Sequence, residues 1–225
     1  MAHPEQFEFV QLVRTLFPAF FTGKKVLEIG SLDINGSIRD FFSGCDYTGL
    51  DIAPGKGVDV VCEGQLFDAP EASFDVVISC EAMEHNPFWQ ATLTNMIRMT
   101  KPGGLVVMSC ATLGRPEHGT TRSEPLSSPL TIEKGWDYYR NLSGRDIVRE
   151  IDMTPLAVWG LACNWKSYDL YFLGFKFIPE DRAIAIAGEG IREFKAIYRN
   201  RLWSSVRWLR HAARKHLKHS LLGRA

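Results

Sequence analysis

The chain has 225 residues, 45% hydrophobic and 23% charged, which is ordinary for a soluble globular protein and favours one large α/β domain over two full domains. Its formal net charge is zero, although residues 191–225 carry ten Lys and Arg against one Glu. No apolar run approaches the roughly 18 residues that span a bilayer. The five cysteines form no CxxC pair, which argues against a zinc or disulfide framework and is typical of a reduced, cytoplasmic protein.

Apolar residues at helical and strand spacings alternate through the first half of the chain. They predict helices over 5–21, from 37 to 42 and over 88–100, and strands at 24–30, 46–51, 58–61, 73–80 and 105–110. Near-continuous apolar strands between helices indicate a parallel sheet that is covered on both faces. We therefore expect a Rossmann-like, doubly wound α/β fold that binds its ligand at the carboxyl ends of the strands.

An irregular segment over 112–142 follows the fifth predicted strand. It is rich in Gly, Pro, Ser and Thr, yet it also contains Trp136, Tyr138 and Tyr139. A stretch of this length without periodicity is usually functional or disordered, and its aromatic residues are unusual for a plain linker. We interpret it as a substrate-side loop or lid.

The remaining elements complete the predicted sheet. A helix is predicted over 143–153, with Ser143 as its N-cap, and two closing strands follow at 156–163 and 170–177. The sequence therefore predicts a seven-stranded sheet that is mostly parallel, with one antiparallel strand near its end. We assign residues 1–178 to this domain.

Residues 179–225 are predicted to form a basic helical extension, with helical periodicity from about residue 190. Over 190–219, apolar residues recur every three or four positions among many Arg and Lys. Three interpretations stay open: a helix docked on the domain or on a second subunit in a homodimer, peripheral membrane contact, or nucleic-acid binding. Trp203 and Trp208 suit a membrane-surface helix. No base-reading element accompanies the charge, so we expect no specific nucleic acid.

Glycines and one acid mark the predicted ligand-binding edge. The first strand ends at Gly30, and Asn35-Gly36 follows; a glycine lets the backbone reach positive φ and approach a ligand closely. A helix starting after this turn would present free N–H groups to a carboxylate of the ligand. Asp51 ends the second strand, where an acid can accept both ribose hydroxyls of a nucleoside.

Polar residues after the third and fourth strands extend this pattern. Glu63, Gly64 and Gln65 follow the third strand, where a polar side chain can meet the edge of an adenine. The fourth strand ends at Cys80, and the segment that follows it contains Glu84 and His85.

The chain resembles class I S-adenosylmethionine-dependent methyltransferases in four segments, which follow the order and spacing of motifs in that family: VLEIG, GLDI, FDVVISCEAMEH and KPGGLVVMS. The Glu-His pair after strand four is similar to that of the small-molecule type. The resemblance covers residues 24–111, and it implies S-adenosyl-L-methionine as the cofactor, with Glu28 near its methionine amine. The implied cofactor-binding residues are Glu28, Gly30, Ser31, Gly36, Asp51, Ile52, Glu63, Gly64, Gln65 and Cys80.

The first motif departs from the usual E-x-G-x-G-x-G form. Leu32 and Ile34 stand at the two later glycine positions, and Gly36 comes two residues late. We therefore expect a wider turn, and which of Ser31, Asp33 and Asn35 faces the cofactor stays open. Because G-x-G-x-x-G is absent, a nicotinamide-binding Rossmann domain is disfavoured. The departure also keeps open an inactive methyltransferase-like binding module.

Two histidines are the candidate catalytic residues. If the acceptor atom is an oxygen, an imidazole with a near-neutral pKa is the natural base. His85 after the fourth strand and His118 past the fifth could serve as base or position the substrate, or could simply pack within their loops. Glu84 is a further candidate, and Tyr138 and Tyr139 could wall the acceptor pocket.

The sequence gives weaker predictions for the acceptor and for metal binding than for the cofactor. No Asp/His cluster has metal-ligand spacing in the sequence, so no metal is expected. The resemblance implies a small molecule or a glycan as acceptor, methylated at oxygen, and aromatic residues in the 112–142 segment could stack on a sugar ring.

Overall fold

The computed structural model describes residues 4–177 and 180–199, and they form one sheet with helices on both faces. The strands are β1 (Lys25–Ile29), β2 (Asp46–Asp51), β3 (Val60–Val61), β4 (Phe74–Cys80), β5 (Thr100–Ala111), β6 (Leu156–Asn164) and β7 (Asp169–Lys176). The α-helices are α1 (Pro4–Leu16), α2 (Trp89–Met99), α3 (Pro129–Glu133), α4 (Gly144–Glu150) and α5 (181–199).

The sheet has seven strands in the order β3-β2-β1-β4-β5-β7-β6. β1 to β5 pair in parallel, whereas β7 is antiparallel to both of its neighbours. β6 therefore points the same way as β5. This confirms the predicted fold, a mostly parallel doubly wound sheet with one antiparallel strand. The order reverses between β1 and β4, and their carboxyl ends open a crevice there.

Each face of the sheet has its own hydrophobic core, because successive side chains of a strand point to opposite faces. Leu27 packs on the face covered by α2 and α4, and Val26 packs on the face covered by α1 and α5. Each large apolar side chain buried in this way contributes roughly 1.5–3 kcal/mol to folding.

Helix α5 docks on the domain through its apolar stripe. Ile191, Phe194 and Tyr198 are buried in the same core as Phe9 of α1. Phe9 also stacks on Tyr171 of β7, with ring centroids 4.1 Å apart. The helix begins about ten residues before the predicted start near residue 190. Predictions about 200–225, including those for Trp203 and Trp208, lie outside the described residues.

Two sequence predictions for helices fail locally. The first helix ends at Leu16 instead of 21, because Pro18 begins a short 3-10 turn. The predicted helix start at 37–42 is also only a 3-10 turn, Ile38–Phe41. The Phe42 N–H bonds to the Arg39 carbonyl at 3.0 Å, three residues back, and β2 begins before another turn could form. The expected row of helix N–H groups is therefore absent at this turn.

Other predicted elements differ mainly at their ends. β3 has only two residues, and β5 begins at Thr100, with a register irregularity opposite β4 that accommodates Gly103 at φ 72°. α4 ends at Glu150, three residues early, but its predicted cap is confirmed: Ser143 and Asp146 form a capping box. Across 4–177 and 180–199, no helix is long and apolar enough to cross a bilayer.

Candidate functional site

A cleft opens at the carboxyl ends of β1, β2 and β4, the edge at which doubly wound sheets bind ligands. The cleft wall includes seven residues that the sequence analysis selected: Glu28, Gly30, Ser31, Gly36, Asp51, Cys80 and His85. Residues 127–131 of the 112–142 segment form the opposite wall. The predicted lid segment therefore borders the same cleft as the predicted cofactor residues.

Gly30 shapes the floor of the cleft. Its φ is +84°, and a Cβ built there would lie 2.6 Å from the Cβ of Ala82, in the turn after β4. Only glycine combines this left-handed backbone with such a close approach. The turn after β1 can therefore lie directly against the turn after β4.

Asp51 is held rigidly at the tip of β2. Its two carboxylate oxygens accept hydrogen bonds from the Leu32 N–H at 2.9 Å and the Ile52 N–H at 2.8 Å. Burial raises the pKa of this carboxyl, and the two backbone hydrogen bonds oppose the rise. The Asp51 carboxylate lines the cleft and has further lone pairs that can accept hydrogen bonds from a ligand. Ile52 donates its backbone N–H to Asp51 and is not among the described residues of the cleft wall.

Asp33 explains how the wide turn is closed without the usual glycines. Its carboxylate accepts the Gly36 N–H at 2.7 Å and pairs with the Lys56 ammonium at 2.6 Å, and its own N–H bonds to the Lys56 carbonyl. Asp33 is therefore committed within the loop. Ser31 lines the cleft, and its hydroxyl lies close to Gly49 of β2. The buried Ser31 hydroxyl has no hydrogen-bond partner among the described residues.

Glu28 is a buried carboxyl in the cleft wall, 5% exposed. The Tyr47 hydroxyl donates to its Oε2 at 2.8 Å. Burial raises the pKa of Glu28 to about 7, while the Tyr47 hydrogen bond and the Arg39 charge counteract the rise. A buried carboxyl that is half protonated near neutral pH is poised to bind a cationic ligand group.

Gln6 of α1 is a cleft residue that the sequence analysis missed. It lies on the buried stripe of the helix with Phe9 and Val13, and it is 5% exposed. Its Oε1 has no hydrogen-bond partner within 4–177 or 180–199. The signal in the sequence was a polar residue at an apolar helical position, one turn before Phe9.

The three residues after β3 that were predicted to bind the cofactor lie outside the described cleft wall, and the two polar ones bind each other. The Gln65 amide donates to Glu63 Oε2 at 2.7 Å, and the Lys134 ammonium pairs with Glu63 Oε1 at 2.9 Å. Gly64 packs against Thr92 of α2. Glu63 therefore ties the end of α3, and with it the lid, to the β3 side of the sheet.

The lid is anchored to the sheet at its C-terminal end. The Arg140 N–H donates to the Glu84 carbonyl at 2.8 Å, and the Leu142 N–H donates to the Ala111 carbonyl at 3.0 Å. Trp136 packs edge-on against Phe88, which is 46% exposed. Neither Tyr138 nor Tyr139 is among the described residues that line the cleft.

The fold brings together the two predicted catalytic histidines. The rings of His85 and His118 lie 5.0 Å apart, and Tyr139 packs 5.5 Å from the first and 5.0 Å from the second. Burial lowers the pKa of His85 to about 3, helped by the nearby His118, and burial also lowers the pKa of His118. Both imidazoles are therefore neutral at physiological pH. The low pKa makes His85 a weaker base than the near-neutral imidazole that the sequence predicted, but a neutral ring can accept a hydrogen bond or bind a metal ion.

Glu84 lies beside these imidazoles, fully buried. Its Oε1 accepts the Ala111 N–H at 3.2 Å. Burial raises the pKa of Glu84, and the charge of Glu81 adds to the rise. The described part of the chain thus groups one carboxyl and two imidazoles, Glu84, His85 and His118, as a set that could hold a metal ion.

The fold and cleft define a Rossmann-like α/β protein with a polar cleft at its topological switch point. The family model described as a methyltransferase domain matches residues 1–122, more than half of the chain. The chain therefore belongs to this family of S-adenosylmethionine-dependent methyltransferases.

Similar proteins agree with this family. A ubiquinone biosynthesis O-methyltransferase of Maricaulis maris (strain MCS10) is 41% identical over 70 residues, which cover 31% of this chain and 25% of that protein. The chain thus matches about a quarter of the length of this relative.

Solved structures share the fold at low identity. A carbon methyltransferase named CurJ has a TM-score of 0.54 at 12% identity, covering 77% of this chain and 54% of that one. The Burkholderia thailandensis 1,6-didemethyltoxoflavin N1-methyltransferase, solved with its substrate and S-adenosylhomocysteine, has a TM-score of 0.50 at 15% identity, covering 79% of this chain and 92% of that one.

Proposed function

We propose that this chain transfers a methyl group from S-adenosylmethionine to a hydroxyl oxygen of a small molecule or saccharide. One observation carries the proposal: a single cleft joins the carboxylates of Asp51 and Glu28 to the neutral imidazole of His85. The first two suit a nucleoside and an amine, and the third suits a hydroxyl. The Maricaulis relative, named an O-methyltransferase, supports oxygen as the acceptor atom.

The cleft residues fit the cofactor, which supplies an electrophilic sulfonium methyl group when bound. Asp51 would accept the ribose hydroxyls with its free lone pairs. Glu28 and the unpartnered Gln6 Oε1 would accept the methionine amine, and Ser31 would donate to the methionine carboxylate. Gly30 lets the turn after β1 lie against the turn after β4, which would fix the floor over which the methionine part of the cofactor lies. In line with the family resemblance, we assign Gly36 and Cys80 to the same wall.

The adenine side is assigned by position in the sheet. β3 lies next to β2, so the residues that follow β3 are neighbours of Asp51. We propose that Glu63, Gly64, Gln65 and the backbone of Ile52 border the adenine.

The acceptor would enter between His85 and the lid. A neutral imidazole there can accept a hydrogen bond from an acceptor hydroxyl and orient it, and the lid excludes water from the reacting atoms. The edge-packed pair of Phe88 and Trp136, which joins the segment after β4 to the lid, offers an aromatic surface that would favour a sugar or another ring compound.

Turnover on a panel of acceptors tests this function. The full chain is incubated with S-adenosylmethionine and with hydroxylated aromatics, free sugars or nucleotide sugars, and formation of S-adenosylhomocysteine is measured against acceptor-free controls. Acceptor-dependent product formation is expected. Calorimetry with S-adenosylhomocysteine separates the alternatives: binding without turnover on any acceptor favours a binding module, and absence of binding contradicts both.

We expect the affinity for S-adenosylhomocysteine to rise with pH up to about pH 7. The pKa of Glu28 is about 7 in the free protein, and a cationic amine favours its ionised form, so at lower pH a proton must leave before the pair can form. Each unit below 7 should weaken binding by up to about tenfold. Above about pH 8 the amine itself loses its proton.

Calorimetry across this pH range measures the effect. Glu28→Gln should bind weakly, with a flat profile below neutrality. A wild-type affinity that stays constant between about pH 5.5 and 7 would contradict the pairing of Glu28 with the amine.

Gln6→Leu is expected to stabilise the free protein and weaken cofactor binding. Leucine removes a buried carbonyl oxygen that lacks a partner, a group whose burial costs about 1–3 kcal/mol. Urea unfolding should show a higher midpoint, and calorimetry a several-fold loss of affinity for S-adenosylhomocysteine. Lower stability together with unchanged affinity would show that Gln6 serves only the packing of α1.

The basic extension, residues 179–225, leads to separate proposals about the partners and the location of the protein. We infer a cytoplasmic protein in which residues beyond 199 provide a second-subunit or peripheral membrane contact. A truncation to test this should end after 199, because Phe194 and Tyr198 belong to the core. If the truncated and full chains pellet equally with anionic vesicles and elute at the same apparent mass, neither contact exists.

A further inference from the structure

Three side chains of the types that bind metal ions lie close together beside the cleft, and they come from two separate parts of the chain. Glu84 and His85 follow β4, whereas His118 comes from the lid. One ligand atom from each residue lies within 4.8 Å of the other two. The exposed fractions of these residues are 0%, 2% and 8%. The set is therefore a buried cluster and not a surface group of acids.

The cluster holds polar atoms that no described residue satisfies. Glu84 Oε2 and the ring nitrogens of His85 make no well-formed hydrogen bond within the described ranges, although the backbone of Tyr138 lies close enough to the ring to affect the pKa of His85. A buried polar atom without a partner is unfavourable. The Glu84 oxygen and one of the His85 nitrogens lie close to a nitrogen of His118, which indicates a ligand that pairs with all three residues.

The remaining polar atoms of the cluster orient it for a ligand. The Ala111 N–H holds Glu84 Oε1, which leaves Oε2 free to bind. His118 Nδ1 lies 3.1 Å from the Pro116 carbonyl, and a proton on Nδ1 leaves Nε2 with its lone pair. Metal-binding histidines are commonly oriented in this way, through a carbonyl on the other ring nitrogen.

Gly119 allows the lid to reach His85. Its φ is +66°, and a Cβ there would lie 2.7 Å from His85 Cε1. A larger residue next to His118 would therefore push the lid away from the cluster.

We propose that Glu84, His85 and His118 bind one divalent transition-metal ion. Two imidazole nitrogens and one carboxylate oxygen form a donor set suited to zinc, cobalt, manganese or iron(II), and less to magnesium or calcium, which prefer oxygen ligands alone. Bonds of about 2.0–2.2 Å would require the side chains to close by roughly an ångström from their present separation. The sequence expectation of no metal rested on spacing, which cannot show that His118 joins the pair.

The site deepens the proposed function. Three protein ligands leave coordination positions open, and His85 also lines the cofactor cleft, so these positions face the acceptor side. An acceptor hydroxyl bound there would release its proton to solvent at a lower pH, leaving its oxygen to form the bond to the methyl carbon as the carbon–sulfur bond breaks. This role in catalysis rests on the proposed function, but metal binding does not.

Metal titration of the full chain tests the site. The chelator-treated protein is titrated with Co²⁺ and Zn²⁺, and calorimetry is combined with the visible absorption of Co²⁺. One site per chain is expected whose Co²⁺ spectrum reports imidazole ligation. His118→Ala and Glu84→Gln should each weaken that site more than tenfold, whereas Tyr139→Phe, which alters a ring packed on both imidazoles, should leave it unchanged.

The outcomes separate the metal site from the proposed function. The chain contains six histidines, so binding that persists equally in both ligand variants belongs elsewhere and overturns the site. A wild-type chain that gives no Co²⁺ spectrum also overturns it, whether or not the variants fold. Turnover that survives complete metal removal contradicts the catalytic role and leaves the methyltransferase proposal intact. A chain that binds metal but not S-adenosylhomocysteine contradicts the methyltransferase proposal and leaves the metal site intact.

Discussion

Asp51→Ala is expected to raise the dissociation constant for S-adenosylhomocysteine at least 100-fold. The carboxylate already accepts the Leu32 and Ile52 N–H groups, so its geometry at the cleft is fixed before the ligand arrives. Hydrogen bonds from two ribose hydroxyls to a charged acceptor contribute about 1.5–3 kcal/mol each. Each 1.4 kcal/mol corresponds to about a factor of ten in affinity. Isothermal calorimetry on the purified chain measures the change.

Asp75→Ala is the matched control. Its carboxylate also accepts a backbone N–H, that of Lys25 at 2.9 Å, and pairs with Lys101, but it lies at the opposite end of the sheet. This variant should bind S-adenosylhomocysteine as the wild type does. If a folded Asp51→Ala variant also binds normally, the nucleoside does not sit at the tip of β2, and the proposed function loses its main support.

Gly30→Ala is expected to lower both stability and cofactor binding. The left-handed backbone costs a non-glycine residue about 1–2 kcal/mol, and a Cβ 2.6 Å from that of Ala82 adds an overpacking penalty of about 1–3 kcal/mol. Relief of the contact requires the turns after β1 and β4 to separate. Because both turns line the cleft, we expect affinity for S-adenosylhomocysteine to fall at least about tenfold.

Gly23→Ala isolates the backbone contribution. Gly23 has a φ of +62°, and a Cβ there would meet no atom within 4 Å. The Gly23→Ala variant should have a free energy of unfolding in urea that is about 1–2 kcal/mol lower than that of the wild type, with unchanged cofactor affinity. Equal losses of stability in the Gly30→Ala and Gly23→Ala variants would show that the contact between the new Cβ at position 30 and Ala82 does not lower stability.

The local sequence pattern predicted the residues at the ends of the strands but not the structure that follows β1. Gly30 and Asp51 were predictable at the sheet edge, because a buried apolar strand that ends in a polar residue or glycine fixes that residue at the carboxyl edge of a parallel sheet. The place of Glu28 came from the family resemblance. The reasoning from local pattern failed at 37–42. Its apolar spacing is helical, but Phe42 packs on Phe21 with ring centroids 4.6 Å apart, and the short connection to β2 allows only a 3-10 turn.

By itself the sequence determined the order of the seven strands, the single antiparallel strand, and the acid and glycine at the carboxyl edge of the sheet, since each depends on residues within one element or on the rules that join neighbouring elements. Tertiary structure alone decided that Gln6 enters the cleft, that residues 127–131 close it, and that His118 meets Glu84 and His85. Those contacts join positions more than twenty residues apart in sequence, and they form only where the sheet order and the path of the lid bring separate segments together.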